Sequence, residues 1–260
     1  MNILSFRLAG QFAAFKDPSV TSNQTVYYIP SKSAIIGLLG AMIGIERDNN
    51  SLGLLYGNNY INFFSKIRIG IRCEFQPRKI TYYTNHRSLI KATMKPFKKE
   101  LVENPEYRIF VLVNNSEYSE FNKLKTSIFE NRFVYSPYLG HAYCPALVSD
   151  PKKIENAIEV VNPEDTITSC VILDESQDND KNNSGFVHPS DLDIRPLSEK
   201  ASIIIERHLH HFYRNNQLEH RVLKHWIPVN SASYRIRRIG IRNLSKFFKM
   251  DDDDQVVCMY

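Results

Sequence analysis

The chain has 260 residues, 43% hydrophobic and 23% charged, a composition that excludes a disordered chain and suffices for one large domain or two small ones. Its net charge of +5 is spread unevenly: residues 64–110 carry 11 Lys/Arg against 4 Asp/Glu, residues 200–249 carry 11 against 2, and residues 111–199 reverse the balance with 15 Asp/Glu against 7 Lys/Arg. One pole of such a surface suits a polyanion and the other a basic partner.

Four cysteines, at positions 73, 144, 170 and 258, form no CxxC pair. A disulfide framework or zinc ribbon is therefore not expected, and reduced thiols fit the cytoplasm. The longest apolar-and-glycine run, Ala34 to Ile45, has 12 residues, short of the roughly 20 that a membrane span needs. The first residues lack the basic start of a signal peptide. The expectation is a soluble, cytoplasmic protein without a membrane partner.

In chain order, residues 2–9 alternate, with Leu4, Phe6 and Leu8 on one face of a predicted strand. After a polar loop, Pro30 followed by Ser31-Lys32-Ser33 marks a helix start with Ser31 or Ser33 as its cap, and the helix is expected over 32–45. Gly37, Gly40 and Gly44 share one of its faces, which predicts close packing against a sheet, because each helical glycine costs up to about 1 kcal/mol against alanine. Residues 66–75 alternate again, with Ile67, Ile69 and Ile71 inward and Arg68 and Arg72 on a wet, basic face. A strand at 107–113, a short amphipathic helix at 117–129 and a strand at 154–161 follow.

This order of strand, helix, strand, insertion, strand, helix, strand is that of an α+β, ferredoxin-like (RRM-like) βαββαβ domain over residues 1–165, with a long β-hairpin insertion at about 76–105. Beyond it, 166–250 reads as a β-rich extension with strands at 166–173, 201–213 and 220–228, and a strand or short helix at 233–244. Residues 176–185 form a polar loop, and 251–260 an acidic, frayed tail.

Nucleotide-handling and hydrolase signatures such as GxxxxGK[ST], GxGxxG, GxSxG and HExxH are absent, and no cofactor is expected. His208, His210 and His211, with His220 and His225 downstream, lack a carboxylate or cysteine at metal-ligand spacing, so phosphate contact or surface exposure is favoured over a metal. The insertion is more informative. Arg78, Arg87, Lys91, Lys95, Lys98 and Lys99 can meet phosphates, while Tyr82, Tyr83 and His86 offer flat faces to bases. The alternative is an exposed hairpin whose charges only keep it soluble. The start of the first helix, with Lys32 and Ser33, is a second candidate phosphate site. Metal-free RNA cleavage would need His, Tyr or Lys near a 2′-hydroxyl. His86, Lys91 and Tyr28, or His141 with Tyr138, are candidates that spacing cannot bring together.

Three stretches carry a resemblance. Phe6-Arg7-Leu8-Ala9-Gly10-Gln11-Phe12-Ala13-Ala14-Phe15-Lys16 and Tyr28-Ile29-Pro30-Ser31-Lys32-Ser33-Ala34-Ile35-Ile36-Gly37-Leu38-Leu39-Gly40-Ala41-Met42-Ile43-Gly44 resemble the opening of the fifth CRISPR-associated (Cas) protein family. Lys98 to Ile109 and Ser136 to Ala146 are similar to its type I-B branch. The resemblance implies a ferredoxin-like domain with a protruding hairpin, or thumb, here 76–105. It implies an RNA-binding subunit of a ribonucleoprotein Cascade complex in antiviral defence, holding the 5′ repeat-derived handle of crRNA. Its partners would be the backbone and large subunits, with target DNA met indirectly through the complex.

The loop 136–146 would be a turn near the RNA, which adds His141 to the RNA-binding candidates. The type I-B likeness implies that a separate nuclease cuts the repeat, so no catalytic residue is assigned. The alternatives are a metal-independent endoribonuclease that processes precursor crRNA and a purely structural bridge between protein subunits.

Overall fold

The computed structural model describes residues 2–20, 23–46, 60, 63, 65–87, 93–113, 119–160, 166–173, 192–196, 201–214, 217–230, 232–236, 246–250 and 256–260. In chain order the elements are β1 (Ile3–Ala9), β2 (Phe12–Ala13), α1 (Lys32–Ile43), β3 (Ile67–Cys73), β4 (Lys79–Arg87), β5 (Met94–Glu103), β6 (Glu106–Val113), α2 (Ser119–Glu130), β7 (Leu147–Ile154) and β8 (Ile158–Glu159). They continue with β9 (Thr166–Ile167), β10 (Val171–Leu173), β11 (Leu192–Pro196), β12 (Ser202–Arg214), β13 (Gln217–Val229), β14 (Ala232–Ile236), β15 (Lys246–Lys249) and β16 (Val256–Met259). The fold is mixed α/β, mostly strand, with two long helices among the described residues.

Four antiparallel strands form the frame in the order β3–β6–β1–β7. Alternation in β1 turns Leu4, Phe6 and Leu8 to one face, where Ile35, Leu39 and Met42 of α1 and Phe121, Leu124 and Ile128 of α2 meet them in the main core. The helix α1 starts where expected, with Ser31 as its cap: Ser31 Oγ accepts from the Ala34 amide at 3.3 Å. It ends at Gly44, whose φ of 76° is the left-handed conformation of a C-terminal cap.

Several expectations are corrected. The glycine face of α1 does not press on the sheet: a Cβ added at Gly37 meets nothing nearer than Tyr60 Oη at 3.8 Å. The fourth strand of the sheet is β7, at 147–154, instead of 154–161. It is hard to see in sequence because Asp150-Pro151-Lys152-Lys153 lacks apolar alternation, and Asp150 has φ 48° beside a register shift against β1.

The basic face of β3 is not wet. Ile3, Phe110 and Leu112 on the far side of the sheet are sealed by Phe248, Met250, Val257 and Met259 from the C-terminal strands. At Gly70 an added Cβ would lie 2.7 Å from Val257 Cγ1, so glycine there lets β16 lie close against the sheet. Ile69 and Tyr260 exchange backbone bonds of 3.0 and 3.1 Å, and the Cys170 amide donates to Ile71 O at 2.7 Å, which covers the open edge of β3.

The supposed tail is thus partly core: Val256–Met259 form a buried strand inside a six-stranded sheet ordered β11–β14–β9–β16–β15–β8. The four aspartates before it hid that strand, and Asp251–Asp254 lie outside the described residues. The predicted strand 166–173 is two short ones, β9 and β10, in different sheets. The segment 233–244 begins with β14, residues 237–245 lying outside the described residues, as does the polar loop 176–185. Strands β12 and β13 form a 13-residue antiparallel ribbon.

Candidate nucleic-acid interface

The insertion is a two-stranded finger. In it β4 and β5 pair from Lys79↔Val102 to Arg87↔Met94, and β2 joins at the root through Phe12↔Glu103 and Ala13↔Val102. Because side chains alternate across a strand, the register assigns every candidate to a face. Tyr82 and Lys99 are opposite each other on one face, as are His86 and Lys95. Tyr83 stands opposite Lys98, on the other face with Arg87.

Tyr83 is 69% exposed, and Arg87, Lys95 and His86 are exposed, His86 resting 5.2 Å from the Phe97 ring. Lys98 is half-buried, 3.7 Å from Glu100, and the exposed Arg78 lies 3.3 Å from Glu103. Lys91 lies outside the described residues.

At the root, loop 137–146 meets the finger. The loop is closed by bonds from Leu139 N to Cys144 O (2.7 Å) and from Ala146 N to Pro137 O (3.0 Å). It is fastened to the strand end after β2 by Ala14 N donating to Leu139 O at 2.8 Å. Gly140 has φ 88°, and a Cβ there would lie 2.2 Å from Ala14 O, so only glycine fits.

The loop presents His141 and Tyr143 as parallel rings with centroids 5.1 Å apart. Gln24 joins loop to finger: its carboxamide nitrogen lies 3.0 Å from His141 Nε2 and 3.5 Å from Tyr143 Oη. Its backbone is held along β5, Gln24 N donating to Lys98 O at 3.0 Å and Glu100 N donating to Gln24 O at 2.9 Å. Burial and a hydrogen bond with Tyr143 push the Tyr82 hydroxyl up to about 12. Burial, then the charges of Lys99 and Lys16, lowers His141 below the usual histidine value. The result is an uncharged aromatic cluster with two cations near His141.

Of the sequence candidates, the structure therefore gathers Tyr82, Lys99 and His141. Gln24, Tyr143 and Lys16 were missed. Tyr143, two residues past His141 on one short loop, was the only one with a local signal. His141 and Tyr138 do not form a pair: Tyr138 instead lines a groove of about 740 Å³ between α1 and residues 135–140, together with Ser33, Gly37 and Tyr135. Ser33 Oγ lies 3.0 Å from Ser31 Oγ. Lys32 is half-buried, and desolvation together with Arg68 pushes its ammonium down to about 7.

The histidine expectation is corrected as well. His208, His210 and His225 are buried, neither on the surface nor placed for phosphate, because the ribbon turns this face onto the body. His210 Nε2 lies 2.6 Å from His225 Nε2, and His225 Nδ1 lies 3.3 Å from Cys170 Sγ. His208 stacks on Tyr27 at 3.8 Å and meets Glu206 at 3.1 Å. Glu206 also accepts from Tyr28 N at 2.9 Å and faces Lys79 of β4 at 3.7 Å. No three His, Cys, Asp or Glu among the described residues are arranged to hold a metal ion. The side chains of His211 and His220 lie outside the described residues.

A family model described as CRISPR-associated protein (Cas_Cas5) matches residues 3–189. The chain belongs to the CRISPR-associated Cas5 family. It is 23% identical over 174 residues to the CRISPR system Cascade subunit CasD of Escherichia coli (strain K12), covering 58% of this chain and 74% of that protein. A CRISPR protein from Archaeoglobus fulgidus superposes over 99% of both chains with a TM-score of 0.53 at 13% identity, which is a likeness of fold. A chain of a CRISPR RNA-guided surveillance complex aligns over 91% of both, with a TM-score of 0.49 and 12% identity. Among the described residues no helix is long and apolar enough to cross a membrane.

Proposed function

We propose that this Cas5-family chain is a non-catalytic RNA-binding subunit of a type I CRISPR Cascade complex. It caps the 5′ repeat-derived handle of crRNA and bridges the backbone and large subunits. The observation that carries the reading is the finger root, where Tyr82, His141 and Tyr143 are gathered, with Lys99 and Lys16 near enough to His141 to act on its charge. Rings with flat faces beside cations suit an unpaired ribonucleotide strand, since stacking contributes about 1–3 kcal/mol per base and cations neutralise phosphates. The strand order β3–β6–β1–β7, with one helix in each crossover, supports a ferredoxin-like domain whose finger is the thumb.

The sheet itself is a poor platform for bases because both its faces are covered. That leaves the finger and its root as the binding surface.

The test is RNA binding by the purified chain across a salt series, using repeat-derived RNA. Replacing Arg87 and Lys95 with alanine is expected to weaken binding and to lower the slope of log K against log salt by roughly 1.4, about 0.7 per lost contact with a single strand. An unchanged affinity and slope would defeat the thumb's assignment.

One observation favours a second reading, a metal-independent endoribonuclease: Tyr82, Tyr143, His141 and Lys99 are the residue types of metal-free RNA cleavage, gathered in one place. His141 Nε2, however, is already engaged by Gln24. Incubation with repeat RNA in EDTA separates the two readings. Discrete cleavage that His141→Ala abolishes would replace the first by the second.

A further inference from the structure

Gln24 is 8% exposed and fixed on both sides of its backbone, so its side chain has little freedom at the finger root. A carboxamide nitrogen carries two hydrogens and accepts none. Here one points at His141 Nε2 and the other at Tyr143 Oη. The His141 Nε2 must then supply a lone pair, and in the neutral ring the single proton resides on Nδ1. Burial and the neighbouring cations Lys99 and Lys16 keep that ring neutral. The Nδ1 atom has no partner among the described residues and is not sealed from solvent. The loop thus presents a hydrogen-bond donor of fixed sign and direction at a site that Lys99 and Lys16 make attractive to RNA.

Which RNA atom would take that bond follows from its neighbours. Phosphate is drawn to the two ammonium groups first, because charge-assisted bonds are roughly twice as strong as neutral ones. A neutral donor beside them is suited to a base edge.

We propose that His141, locked in one tautomer by Gln24, reads a single base of the bound RNA by donating from Nδ1 to O4 of uracil or O6 of guanine. It selects uracil or guanine over cytosine or adenine, which carry an amino group at the corresponding place. This specificity rests on the RNA-binding reading and goes beyond it, since gripping a handle needs no discrimination between bases.

The experiment measures binding of octauridylate and octacytidylate to the full chain at pH 7.5 by fluorescence anisotropy, with ¹⁵N NMR of the His141 ring in parallel. The expected result is about tenfold tighter binding of octauridylate, the factor that one hydrogen bond of ordinary strength supplies. The ring nitrogen shifts should report a proton on Nδ1. His141→Phe keeps the ring and removes the donor, and should bind both strands alike.

Equal affinities in the unaltered chain, or a proton on Nε2, overturn the proposal while leaving RNA binding standing. A preference that survives His141→Phe overturns it too. Failure to bind either strand overturns this proposal and the RNA-binding reading together. The NMR measurement on the unaltered protein keeps the test decisive if the variant misfolds.

Discussion

Tyr82 and Tyr83 are neighbours in sequence and opposites in space, because one residue along a strand reverses the face. Tyr82 joins Tyr143 and Lys99 at the finger root, while Tyr83 stands exposed on the other side with Arg87. Sequence could place both on a hairpin but could not say which face meets the body. Gly140 shows the same limit from the other direction. In sequence it is one glycine in Ser136 to Ala146, while in space it is the point where the loop touches the Ala14 backbone in a left-handed conformation. Gly140→Ala is expected to destabilise the protein by at least about 2 kcal/mol, since strain and a backbone clash coincide there. Thermal unfolding followed by circular dichroism checks it, and a melting temperature equal to that of the unaltered protein would contradict it.

At the scale of elements, the β12–β13 ribbon is held to the body through His225, a buried imidazole whose charged form is disfavoured there. Burial, then His208 and His210, depresses His225 well below its ordinary value. Cys170 faces it from the loop before β10, Tyr260 from the chain end at 5.9 Å, and Glu206 lies on the paired strand with Lys79 and Tyr28 behind it. A histidine whose folded pKa is lowered contributes stability that is intact above its unfolded value, near 6.5, and is lost as pH falls through that value toward the folded one. Each pH unit below about 6 should therefore remove about 1.4 kcal/mol for this one group. Urea midpoints at pH 7 and pH 5 measure the loss, and His225→Leu should make it shallower. An unchanged pH dependence in that variant would show that another group controls acid sensitivity. The motif His208-x-His210 was visible in the sequence. Its burial was not, because alternation says that two residues share a face and nothing about what covers that face.

For the whole molecule, the chain end decides whether the central sheet is sealed. Val256, Val257, Cys258, Met259 and Tyr260 are each at most 4% exposed. At about 1.5–3 kcal/mol for each large buried apolar side chain, their sum is comparable with the 5–15 kcal/mol that stabilises a typical protein. Deleting 256–260 is thus expected to abolish the cooperative fold, seen as loss of near-UV circular dichroism and of a monomeric elution peak. A frayed tail could be removed without effect, so a folded truncated chain would refute the packing described.

The sequence by itself determined the β1, α1, β3, β6 and α2 segments and a hairpin rich in cations, because periodicity, caps and charge are local properties, and its N-terminal motifs carried the resemblance to the family. Only the tertiary structure decided that the C-terminal strands cover the sheet, that the histidines are interior, and that Gln24 meets His141 across 117 positions of chain. Contacts at such separation depend on how distant segments pack against one another, and no short window of residues records that.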